Sequence, residues 1–265
     1  MTNPADNSSV FSDWVTVLTT VPLLPLPPNN ERAALVTERL IIRPPTEDDL
    51  AALYELRTLP EVMRNTKTGT IDVDIAFTRG RLVPFLAPGD ARTFNFAICL
   101  REAGDNKLIG IGGVHIFHSV FGWPELGYMF HSAHWGKGYA TEFVRGFLQM
   151  YSKLPRPETP QPLRVTRCTL PADLQAKAGP GTAEKSDYDD DPEALARTVT
   201  ADTVVVEEKL TAIVAVRNAE SNRVVTKGGF ERFMQFSKED GWMPGSGIDI
   251  MLNVYHYFPS KEASE

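Results

Sequence analysis

The stretch HWGKGYATEF, His134 to Phe143, sets two glycines around a lysine and then changes into the spacing of an amphipathic helix. Apolar residues recur at Ala140, Phe143, Val144, Phe147, Tyr151 and Leu154, three or four positions apart, so one face of that helix must pack on a sheet. PELGYMFH, Pro124 to His131, reads as the strand before it. A strand, a turn of small residues and a helix start would leave the backbone N–H groups of Gly136 to Thr141 free, with the helix dipole behind them. Glycine at 136 and 138 removes side chains and permits positive φ, so a bulky anion can approach the backbone. A pyrophosphate fits such a place. A turn that merely joins strand to helix is the alternative this stretch leaves open.

Two familiar nucleotide loops do not fit. A GxxxxGK[ST] loop aligned on Gly136-Lys137 needs glycine at 131 and Ser or Thr at 138, where the chain has His131 and Gly138. A GxGxxG fingerprint starting at Gly136 meets Thr141 where its third glycine belongs.

Outward from this stretch, the chain alternates strands and helices. LVTERLIIRP (Leu35 to Pro44) reads as a strand, and TEDDLAALYELR opens a helix capped by Thr46. A second helix is expected within Val73 to Leu86. RTFNFAICL (Arg92 to Leu100) alternates as a half-buried strand, and KLIGIGGVHIF (Lys107 to Phe117) reads as a central one. LTAIVAV (Leu210 to Val216) is a buried strand. Ala219, Asn222, Val225 and Thr226 then fall on helical spacing up to a Lys227-Gly228-Gly229 stop. FERFMQF and GIDIMLNVYHYF close the domain as an antiparallel pair. The sum is an α/β domain with a mixed sheet and no internal repeat.

Two segments stand apart. Residues 1–34 are rich in Pro, Asn, Thr and Ser and read as an extension packed on the surface or partly disordered. Residues 155–206 carry clustered prolines and the acid run DYDDD, and read as an insertion making a solvated surface excursion; a flap over an acceptor site is the functional alternative. The domain is therefore placed at 35–258, with 259–265 as a tail.

Composition narrows the class. With 265 residues, 42% of them hydrophobic, a sizeable core is possible, and no apolar run is long enough for a transmembrane helix. Cys99 and Cys168 form no CxxC pair, which suits a reducing compartment and argues against a thiolate metal site. A net charge of −7 disfavours nucleic-acid binding and suits cationic partners such as amines. No basic n-region precedes an apolar stretch, so a secretory leader is not expected and a cytoplasmic location is.

A second motif, NAESNRVVTKGGFE from Asn218, completes the pattern. Together with WGKGYATE it resembles the GNAT superfamily of acetyl-CoA-dependent N-acetyltransferases, most closely the RimJ/RimL-like branch. The family's [QR]xxGx[GA] motif reads Trp135-Gly136-Lys137-Gly138-Tyr139-Ala140, with Trp135 in place of Gln or Arg. The branch's NxxSxxVxxKxGF reads Asn218, Ser221, Val224, Lys227, Gly229 and Phe230 without a gap. TERLIIRP and ELGYMF match two of the branch's strands. The resemblance covers roughly 35–258 apart from the insertion.

The resemblance implies a central sheet whose strands at 124–131 and 210–216 splay apart. The pantetheine arm of acetyl-CoA would enter that V and hydrogen-bond to backbone around Met129, Phe130 and His131. The diphosphate would sit on Gly136 to Thr141, with Lys137 as an accessory charge, and Asn218 would contact the pantetheine amide while capping its helix. The implied activity is acetyl transfer to a primary amine, on a small molecule or a protein N-terminus, by direct attack on the thioester. A non-catalytic module of the same fold that binds a CoA thioester or a peptide is the alternative. The protein is expected to be a monomer or homodimer with no metal.

Thioester aminolysis needs a neutral amine, a steadied oxyanion and a proton for the leaving thiolate. Glu125 is the first candidate for the base, because it opens the strand beside the cleft; His131 or His134 could serve instead. Ser221 is the proton donor that the family suggests. His115 and His118 are read as structural, with no carboxylate beside them.

Overall fold

The computed structural model describes residues 11–66, 69–102, 104, 106–182, 191–239 and 247–259. Most of the acid run, the first ten residues and the last six lie outside them. In chain order the elements are β1 (Trp14–Thr19), β2 (Leu35–Val36), β3 (Leu40–Arg43), α1 (Leu50–Arg57), α2 (Pro60–Met63), α3 (Ile75–Leu82), β4 (Phe94–Leu100), β5 (Leu108–Ile116) and β6 (Glu125–Phe130). They continue with α4 (Tyr139–Ser152), β7 (Gln161–Thr166), α5 (Ala172–Gln175), α6 (Pro192–Ala196), β8 (Leu210–Ala215), α7 (Ala219–Lys227), β9 (Glu231–Glu239) and β10 (Asp249–Tyr257).

Eight strands form one mixed sheet in the order β2-β3-β4-β5-β6-β8-β10-β9. All neighbours are antiparallel except β6 and β8, which run parallel and share a single register pair, Glu125 with Thr211. The Thr211 N–H donates to the Pro124 carbonyl at 2.8 Å. Beyond that pair the two strands part, and the splay expected from the resemblance is present.

Helix α4 covers one face of the sheet with Phe143, Val144, Phe147 and Tyr151, which pack on Phe94, Phe96, Ile98 and Phe130. Helix α1 covers the other face, where Leu53 and Leu56 meet Ala97, Leu108 and Ile111. Coverage on both faces corrects one expectation. β4 is not half-buried: Asn95, Ala97 and Cys99 are as buried as the alternating Phe94, Phe96 and Ile98. The alternation marked which face α4 takes, and gave no sign that α1 would cover the second.

The extension and the insertion are built together: the extension packs, the first of the two alternatives given for it, and the described part of the insertion packs with it instead of making a solvated excursion. β1 pairs antiparallel with β7, from Trp14 opposite Thr166 to Thr19 opposite Gln161. Val15, Val17, Leu163 and Val165 from this small sheet bury against Phe121, Trp123, Phe236 and Val254. Burial of this apolar set stabilises both segments. Lys209 lies beneath them, donating from Nζ to the Thr169 carbonyl and standing 5.7–5.8 Å from the rings of Trp123, Phe233 and Phe258. Burial lowers its pKa to about 8.

Candidate functional site

A cavity of about 920 Å³ occupies the V between β6 and β8 and runs through the sheet from α4 and α7 on one side to α1 and α3 on the other.

On the α4 side, the turn expected to receive an anion has the geometry for it. Gly138 is the N-cap of α4 at φ +82°, and Gly136 stands at φ +72°. These left-handed conformations favour glycine and point successive amides outward. Among the described residues no acceptor takes the N–H of Gly136, Lys137, Gly138, Tyr139, Ala140 or Thr141; the first intrahelical bond is Glu142 N–H to the Gly138 carbonyl. A row of free donors at the start of a 14-residue helix is the arrangement that suits an anion.

Neighbouring side chains hold this turn in place. Glu142 accepts from Thr37 Oγ1 at 2.6 Å, from the Arg39 N–H at 2.8 Å and from Arg39 Nε at 2.7 Å. Arg39 Nη1 donates to the Lys137 carbonyl at 2.8 Å, and the guanidinium lies over the Tyr139 ring at 4.8 Å. Trp135 donates from its indole N–H to the Phe130 carbonyl at 2.8 Å, tying the turn to the end of β6.

Of the residues expected here, Met129, Phe130, Trp135, Gly136, Gly138, Tyr139, Ala140, Thr141, Asn218 and Ser221 line the cavity. Lys137 and His131 do not. Lys137 Nζ donates to the Ala133 carbonyl at 2.9 Å, one turn away from the donor row. The His131 N–H is taken by the Ile109 carbonyl at 2.8 Å, and its Nε2 is 3.5 Å from Glu55 on α1. Backbone direction alternates along a strand, so the amides at Phe130 and Tyr128 face the V instead. The backbone edge available to a ligand therefore lies one residue earlier than expected. His134 does line the cavity, and burial, with Lys137 and His131 nearby, lowers its pKa.

Asn218 caps α7 by accepting the Ser221 N–H at 3.0 Å. The helix is fixed from below by Asn222, which donates to the carbonyls of Ala215 and Asn218 and accepts from Asn253 Nδ2 and Tyr255 Oη, each at 2.7 Å. Tyr128, pointing from β6, donates to the Ser221 carbonyl at 3.5 Å. Burial raises the Tyr128 pKa to about 12, which keeps its proton in place at neutral pH.

On the α1 side, Glu125 stands at the vertex of the V, where the single parallel pair forms, and is 7% exposed. Its Oε1 is 3.9 Å from His115 Nε2. His115 was read as having no carboxylate beside it, and the structure corrects this. The register of β5 on β6 slips between Val114 and Ile116, which makes His115 the extra residue of a bulge and turns its imidazole over Gly127. Arg57, Arg81, Asn95 and Phe85 complete this half. Arg57 is bound by Asp72 through Nε and Nη2 at 2.7 and 2.9 Å, and Thr78 Oγ1 donates to the same carboxylate at 2.7 Å, which locks α1 to α3.

Sequence reading missed Arg39, His115, Arg57, Asn95 and Asn222. Arg39 lay inside a stretch already noted for its pattern, but its partner is 103 residues away. The bulge that aims His115 has no signature in KLIGIGGVHIF.

Fold and site together define a CoA-dependent acyltransferase. Residues 39–231 match the family model described as an acetyltransferase (GNAT) domain, and the chain belongs to that family. It is an acetyltransferase that uses acetyl-CoA, as the family does. Solved structures share the fold at low identity. A GNAT-family acetyltransferase from Bacillus anthracis is 19% identical with a TM-score of 0.53, covering 86% of this chain and 99% of its own. A spermidine N-acetyltransferase from Vibrio cholerae, solved with CoA and spermine, is 14% identical with a TM-score of 0.53 and the same coverage. A probable GNAT acetyltransferase from Chromobacterium violaceum is 15% identical with a TM-score of 0.53, covering 91% of both chains. No curated protein matches the chain. Among the described residues no helix is long and apolar enough to cross a membrane, and no group of His, Cys, Asp and Glu is placed to hold a metal ion.

Proposed function

We propose that this acetyltransferase belongs to the RimJ/RimL-like branch and moves the acetyl group of acetyl-CoA directly to a primary amine, on a small molecule or a protein N-terminus. The observation that carries the reading is the row of free N–H groups from Gly136 to Thr141, open to the same cavity as the buried carboxylate of Glu125. Acetyl-CoA supplies a thioester whose acyl carbon accepts the amine. The donor row would hold its diphosphate, the open edge at Tyr128 and Phe130 its pantetheine arm, and Asn218 an amide of that arm. Lys137 would take part through its backbone N–H alone, its side chain being turned to the Ala133 carbonyl, and the His131 N–H is held by Ile109.

An amine reaches the cavity as ammonium and attacks only when neutral. Glu125 would take that proton, with His115 beside it to pass the proton toward the exposed end of the cavity. As the new C–N bond forms the C–S bond breaks, and the departing sulfur needs a proton. Ser221, in the N-terminal turn of α7, would give it, with the neutral Tyr128 hydroxyl reaching the carbonyl of the same residue.

The test is thiol release from acetyl-CoA across a panel of amines and short peptides, beside calorimetric CoA binding. Release that depends on an acceptor supports transfer. Tight CoA binding with release no faster than hydrolysis for every acceptor would make the protein a binding module.

A further inference from the structure

Asn95 is a buried polar residue that the transfer reading does not use. It lies on β4 at 3% exposure and lines the cavity, and its Nδ2 has no hydrogen-bond partner among the described residues. A buried donor left unmade is costly, and such groups are rare in folded proteins. Placing one against a substrate cavity gives it a purpose.

The register shows what faces it. Asn95 pairs with Gly113, and Gly113 pairs with Gly127, so the three positions stand side by side on the α1 face of the sheet. Glu125, two residues before Gly127, shares that face. Neither glycine carries a side chain, which leaves a trough between Asn95 on β4 and Glu125 on β6, two strand spacings across and two residues along, or about 12 Å between their backbones. Gly113 has no alternative: a Cβ there would stand 2.1 Å from the Phe94 carbonyl oxygen. Arg57 closes the trough from α1. Its side chain is 9% exposed, two of its nitrogens are bound to Asp72, and its Nη1 has no partner among the described residues.

The two ends of the trough are chemically opposite. Glu125 attracts a cation. Asn95 Nδ2 is a buried donor with no partner among the described residues, and Arg57 Nη1 is the guanidinium nitrogen that Asp72 does not hold. On the transfer reading above, on which this inference rests, the amine lies at Glu125. We propose that Asn95 and Arg57 form a receptor for an oxygen that the acceptor carries beside its amine. The acceptor class is then an α-aminoacyl unit, whose carboxylate or carbonyl oxygen lies a few bonds from its nitrogen. A polyamine is the wrong shape of charge for this half. Among the described lining residues, Arg57 and Arg81 face it and Glu125 is its one carboxylate; Glu220 is on α7, held by Arg223. A second ammonium would meet cations.

The experiment compares alanine, alaninamide, sec-butylamine and spermidine as acceptors, with rates expressed per neutral amine. Alanine tests a free carboxylate, alaninamide a peptide-like carbonyl, and sec-butylamine removes the oxygen. The expected result is a kcat/KM for alanine or alaninamide at least about tenfold above the other two. Asn95→Leu should shrink that preference about tenfold while leaving the CoA dissociation constant as it was. Asn95→Asp, which points a carboxylate at the bound oxygen, should suppress alanine more than alaninamide. Thermal melts identify any variant that has lost its fold, and Leu in place of an unpaired donor should melt no lower than the wild type. Turnover of sec-butylamine or spermidine at the rate of alaninamide, or a preference that survives in folded Asn95→Leu, would overturn the receptor and leave the transfer reading standing. Release with no amine at all would overturn both.

Discussion

Arg39 Nε donates to Glu142 Oε2 at 2.7 Å, joining the segment before β3 to the first turn of α4. The same guanidinium holds the Lys137 carbonyl, so the peptide before Gly138 is turned with its oxygen toward arginine and the following N–H groups toward the cavity. The ion pair is a positioning device for the anion turn. Its charge is partly exposed, with Arg39 at 41%, and contributes little to overall stability.

Arg39→Ala is therefore expected to leave the melting temperature nearly unchanged and to weaken CoA binding about tenfold, or about 1.4 kcal/mol. Glu142→Gln should act in the same direction. Calorimetry with CoA checks both, and an unaltered dissociation constant in Arg39→Ala would show that the turn holds its shape without the clamp.

Gly138 tolerates no β-branched side chain. Its φ of +82° costs an L residue about 1–2 kcal/mol, and a Cβ would come within 3.3 Å of Arg39 Nη2. Gly138→Val should lose CoA affinity by about 100-fold, because the turn must change shape to relieve the strain. Affinity within a factor of a few of the wild type would remove the diphosphate from this place.

Replacing Glu125 by Gln keeps its size and removes the base. The expected loss in kcat/KM is about 10²–10³-fold at neutral pH, with CoA affinity retained. The deficit should narrow as the pH approaches that at which the amine is already neutral. Wild-type rates at neutral pH would strike Glu125 from the mechanism.

Lys209 makes stability depend on alkaline pH. Its folded pKa, near 8, is below the unfolded value of 10.5, so between these values the unfolded chain binds more protons than the folded one. Stability contributed by this group therefore rises as pH rises from 8 to 10.5, by about 3 kcal/mol in the limit. Lys209→Met should abolish that rise when urea midpoints are compared with wild type across the window. Parallel wild-type and variant curves would mean that the ammonium is solvated in the folded state.

Much of this could be read from residue order because it depends on local geometry. Gly136 and Gly138 signalled a turn with positive φ, and both have it. The period of Phe143, Val144, Phe147 and Tyr151 marked the buried face of α4, and Asn218 marked the cap of α7. The direction of the Lys137 side chain was not legible for a related reason: its place between the glycines is local, but where the long side chain turns depends on the Ala133 carbonyl one turn back. The strand in WVTVLT was obscured by the prolines that follow it, since its pairing partner β7 lies more than 140 residues away.

By itself, the order of residues determined which segments become strands and helices, which faces are apolar, and where a helix start would leave backbone amides uncovered. Those outcomes follow from φ preferences and side-chain periodicity over a few residues. The tertiary structure alone decided that β6 and β8 part after a single pair, that a bulge brings His115 to Glu125, and that Asn95 and Glu125 face one cavity across a trough of two glycines. These depend on strand register and on helices packing from distant parts of the chain, and register is set by the fit of the whole sheet rather than by any one stretch of it.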